Sequence, residues 1–104
     1  MNLSEAESAL SKVREALSAA WSKEPSPARR SRLRSVILKV DRELADVTDR
    51  ALANSAAKYV PLQDNFENAT KDLNWVRNQV ESFAVSAAQA AQIVAWVASI
   101  LPLL

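Results

Sequence analysis

Glycine, cysteine and histidine are all absent from this chain of 104 residues. Without glycine, turns that require positive φ have almost no supply, and a phosphate-cradling loop of the usual kind is excluded. Without cysteine there is neither a disulfide framework nor a thiolate metal site, although the redox compartment stays open. The joint absence of cysteine and histidine removes the usual general base, the thiol nucleophile and the imidazole ligand. No catalytic residue, cofactor, metal ligand or small-molecule substrate is therefore expected, and the sequence argues against an enzyme. Charge is also missing locally, because residues 82–104 (SFAVSAAQAAQIVAWVASILPLL) contain no Asp, Glu, Lys or Arg.

What is present favours helix. Hydrophobic residues make up 49% of the chain, enough for a small core, and proline occurs only four times. Glu5 and Glu7 stand where a signal peptide would carry lysine and then an apolar run. A cytoplasmic protein without a classical signal peptide is expected, with membrane association as a second possibility.

Ser4 followed by Glu7 has the form of a capping box, which predicts a first helix over about 5–23. Leu3, Ala6, Leu10, Val13, Leu17 and Ala20 recur in steps of 3 and 4 along one face, and Trp21 extends it. Pro25 ends this helix. Ser26 and Pro27 then supply a hydroxyl cap and a proline at the first helical position, predicting a second helix over about 27–58. Its seam is Leu33, Ile37, Val40, Leu44, Val47, Ala51 and Asn54. Val36, Leu38, Ala45 and Leu52 widen it, so this helix should touch more than one neighbour. Asn54 reads as a solvated last turn, or as a buried residue that sets register between chains.

From Leu62 to Leu101 the apolar residues Leu62, Phe66, Ala69, Leu73, Val76, Val80, Phe83, Ala87, Ala90, Val94, Val97 and Leu101 alternate steps of 4 and 3 without a break. That period predicts a single third helix over about 62–101, roughly 55 Å long. Beyond Glu81, Ala84, Ala88, Ala91, Ala95 and Ala98 form a second stripe, which implies neighbours on several sides. Gln89 and Gln92, with many alanines, disfavour a simple spanning helix although the length suffices. Short loops at Pro25 and Pro61 make consecutive helices antiparallel. The expected fold is thus one all-α domain, residues 1–104: an antiparallel three-helix bundle with coiled-coil-like heptad packing and a protruding hairpin of the second and third helices.

In that layout Ile93, Trp96, Ile100 and the terminal Leu101, Leu103 and Leu104 are short of cover, and Trp75 lies on the same outward face as Trp96. These seven are the candidate partner interface. The basic charge is local: Arg29, Arg30, Arg32, Arg34, Lys39 and Arg42 face a single acid, Asp41, between residues 25 and 42. Arg29, Arg30, Arg32 and Arg34 crowd a helix start that already carries partial positive charge, so they are either ion-paired or contact an anion or lipid. Without interleaved aromatics they make a weak nucleic-acid signal. Glu43, Asp46 and Asp49, near Arg42 and Arg50, read as a solvated, ion-paired surface.

Two functions follow. The first is a non-enzymatic interaction or assembly protein that forms a homo-oligomer or packs with partner helices through its heptad seams and apolar C-terminal helix. The second is a membrane-associating or pore-forming protein, in which the arginines, Trp21 and the leucine tail converge on one end and dock on an anionic membrane surface.

Overall fold

The computed structural model describes residues 1–63, 66, 69–84 and 86–104, with Phe83 described by its backbone alone. Among these residues the helices are α1 (Leu3–Lys23), α2 (Pro27–Asn54), α3 (Thr70–Phe83) and α4 (Ala87–Ile100), followed by a 3₁₀ turn at Leu101–Leu103. No described residue has positive φ, in keeping with a chain that has no glycine.

α1 begins two residues earlier than Ser4 predicts. Its cap is Asn2, whose side chain accepts from the Glu5 amide at 2.8 Å while Glu5 Oε1 accepts from the Asn2 amide at 3.0 Å. The earlier start is sustained from elsewhere in the chain. The Leu3 amide donates to the Ala57 carbonyl (2.9 Å), the Ser4 amide to Ser55 (3.1 Å), and the Tyr59 amide donates back to Met1 (3.0 Å). These bonds satisfy amides that a helix start otherwise leaves without partners. They also explain why α2 ends at Asn54 and not near residue 58: residues 55–57 turn the chain back alongside the N-terminus, where Lys58 bridges Asn2. The six predicted core positions of α1, from Leu3 to Ala20, are all buried. α2 starts as expected, with Ser26 capping the Arg29 amide and Pro27 in the first turn.

The third helix departs most from expectation. It is not continuous; the chain leaves helical geometry at Ala84 (ψ 141°) and restarts at Ser86, whose side chain accepts from the Gln89 amide. A continuous helix of about 55 Å would outrun the molecule, whose longest dimension is 41 Å. The break folds α4 back. Arg29, at the start of α2, donates to Ser82 at the end of α3, while Lys12 in the middle of α1 lies 5.7 Å from the ring of Trp96 on α4. α4 therefore runs antiparallel to both α1 and α3, giving a four-helix, up-down-up-down arrangement instead of three helices.

The restart also resets which face of the last helix is inside. Ile93, Val97 and Ile100 are buried there, whereas Ala88, Ala91, Ala95 and Ala98 face solvent. The alanine stripe expected to seat a second neighbour is the outer face.

Glu43 corrects another expectation. It is fully buried, the only buried charged residue among those described. Its carboxylate accepts from the Tyr59 hydroxyl at 2.6 Å, from the Leu62 amide at 2.9 and 3.1 Å and from the Gln63 amide at 2.9 Å. Nearby Asp46 accepts from the Gln63 side chain. A charge without water is tolerated when its lone pairs are filled in this way. Here they fasten the segment after α2 onto that helix. Burial, then the hydrogen bond to Glu43, then the charge of Glu43 push the Tyr59 phenol well above its ordinary range.

Candidate interaction surface

The predicted interface residues separate into two groups. Ile93 and Ile100 are inside the core, at 0% and 2% exposure, so the shortage of cover expected there is met within the chain. Trp75, Trp96, Leu101, Leu103 and Leu104 are partly buried and packed against that core. Trp75 and Trp96 no longer share a face, because the break places them on α3 and α4.

Each of the three tryptophans carries a cation over its ring: Arg30 lies 4.3 Å from Trp21, Arg32 4.9 Å from Trp75 and Lys12 5.7 Å from Trp96. This arrangement uses much of the arginine cluster internally. Arg29 Nε lies 3.3 Å from Glu24 Oε2, an ion pair whose N–H is not aimed for a hydrogen bond. Arg32 also reaches Asp72 at 3.8 Å, and Lys39 meets the same carboxylate. These long side chains tie α2 to α3 in antiparallel order, Arg29 with Ser82, Arg32 with Trp75 and Lys39 with Asp72. Arg34 is exposed and makes no ion pair with any described residue.

The fold-back has a consequence for the basic end. Ser82 beside Arg29 places the turn between α3 and α4 at the arginines, and α4 then travels about 21 Å away from them. The leucine tail consequently lies at the opposite end of the bundle from Arg29, Arg30, Arg32, Arg34 and Trp21. The convergence expected from a continuous third helix is absent. No described helix is long and apolar enough to cross a membrane.

What remains open is the outer face of α2. Leu38 is 44% exposed and Leu52 84%, and Ala45, midway between them, is exposed too. The three are seven residues apart and so form one stripe along the helix. α1, α3 and the 59–63 segment occupy the other sides of α2, through Leu33, Val36, Val40, Glu43 and Val47. Ser31, Arg34, Arg42 and Asp49 flank the stripe and are exposed. At its upper end a groove of about 230 Å³, lined by Ser18, Trp21, Arg34, Ile37 and Leu38, links it to the α1–α2 junction. That volume is below the usual ligand-pocket range of about 300–1,000 Å³, so it is the margin of a surface. The sequence did mark Leu38, Ala45 and Leu52 as widening the seam, but periodicity does not tell a second buried flank from an exposed one.

Among the described residues no group of three His, Cys, Asp or Glu is placed to hold a metal ion. Comparisons with protein-family models, with curated proteins and with solved structures find no match to this chain.

Proposed function

We propose that this chain is a non-enzymatic helical assembly protein that homo-oligomerises, or packs with partner helices, through the outer face of α2. The observation that carries the reading is the exposed Leu38, Ala45 and Leu52 stripe on a helix whose other faces are already covered. Two exposed leucines at heptad spacing are the positions a second amphipathic helix fills. The lack of histidine and cysteine supports an interaction role, as does the use of most charged clusters for internal contacts. The membrane reading lacks its main support, since the arginines and the leucine tail occupy opposite ends. Sedimentation velocity from micromolar to millimolar concentration tests the proposal. The wild-type chain should show concentration-dependent dimers, and Leu38→Glu/Leu52→Glu should sediment as a folded monomer. A wild-type monomer across the whole range overturns self-assembly.

A further inference from the structure

The α2 stripe has a symmetry that specifies more than the existence of a partner. Resting on the assembly reading above, we propose that a second copy of this chain lies antiparallel across α2, with Ala45 of each copy on the two-fold axis. Leu38 then packs beside the partner's Leu52, and Leu52 beside the partner's Leu38. The small Ala45 side chains allow the two helices to approach at the centre.

Charge selects this orientation. Arg42 and Asp49 stand three residues before and four residues after Ala45 on the same flank of the stripe. Both are exposed, and neither makes an ion pair with a described residue. Within one helix they are about 10 Å apart, too far to neutralise each other. Antiparallel pairing sets Arg42 against the partner's Asp49 twice. Parallel pairing in the same register instead brings opposite flanks together, so that Arg42 meets the partner's Asp41, which Arg14 already holds, and Asp49 meets the uncharged Thr48, and neither charge gains a free partner. On the other flank Asp41 is already paired with Arg14, so it adds no free charge there.

The helix ends agree. In the antiparallel register Arg34 lies near the C-terminal end of the partner's α2, whose last turn contains no basic residue. A cation at that position complements the negative end of the helix dipole. The stripe runs about 21 Å from Leu38 to Leu52, and a single helix-on-helix strip covers less than the roughly 800 Å² per partner of a standard interface. The dimer is accordingly a weak one.

Because the chain has no cysteine, single cysteines report the register without interference. Under mild oxidation Ala45→Cys should form a disulfide-linked dimer. Leu38→Cys alone should not, since the two copies of residue 38 would be about 21 Å apart, whereas a mixture of Leu38→Cys and Leu52→Cys should link. In sedimentation Arg42→Asp should weaken the dimer about tenfold, and Arg42→Asp/Asp49→Arg should restore it. Self-linking of Leu38→Cys without linking to Leu52→Cys overturns the antiparallel register. A wild-type dimer whose cysteine variants do not link, or whose charge reversal does not restore association, overturns this inference and leaves assembly standing. A wild-type monomer removes the assembly reading itself.

Discussion

Glu43 is where a single side chain connects distant parts of the chain. Its carboxylate receives a phenol and two backbone amides from residues 59–63, and it has no contact with water. Removing such an acceptor leaves several buried donors without partners, which costs more than the bonds themselves contribute. The arrangement makes the sole tyrosine a reporter of the fold. Below its ordinary pKa of about 10, the phenol is neutral in both folded and unfolded chains and adds no pH dependence. Above that pH the unfolded chain releases a proton that the native chain retains, so stability should fall as pH rises. Phenolate absorbance in the native protein should therefore appear only together with loss of helical circular dichroism. In Glu43→Gln, which removes the carboxylate charge, it should appear at lower pH. Ionisation near pH 10 with the helices intact would show that Tyr59 is not held as described.

At the scale of elements, the decisive feature is the restart at Ser86. α4 has no charged residue and no acid in its first turn, so its N-terminal amides rely on the Ser86 side chain and on solvent. Ser86→Ala should lower stability by about 1 kcal/mol in urea denaturation, while Ser99→Ala, on the exposed face near the other end, should change it little. The signal for this start was present, since Ser86 followed by Gln89 has the spacing of a capping pair. An unbroken alternation of 4 and 3 from Leu62 to Leu101 concealed it. Residues 82–104 are apolar on more than one side, so two helical phases satisfy the same residues. Only contact with α1 chooses the face of Ile93, Val97 and Ile100.

For the whole molecule, folding α4 back shortens the protein to 41 Å and separates the basic end from the leucine tail. Stable membrane anchoring usually needs two signals acting together, such as a polybasic patch beside an apolar element. With the signals apart and several arginines engaged by tryptophan, serine and carboxylates, the chain should not float with anionic vesicles more than with neutral ones at physiological salt. Flotation that depends on anionic lipid would revive a membrane role.

The sequence by itself determined the all-helical character, the start of α2 at Ser26 and Pro27, and the inward stripe of α1 from Leu3 to Ala20. Each rests on local rules: caps, proline geometry and side-chain period within one helix. Tertiary structure alone decided which segment meets the first amides of α1, the direction and inward face of α4, the burial of Glu43 and the exposure of Leu38 and Leu52. These depend on which distant segment supplies a donor, an acceptor or a covering surface. Ala57 and Ser55 reach the first amides of α1, residues 59–63 reach Glu43, and no described segment reaches the outer side of α2.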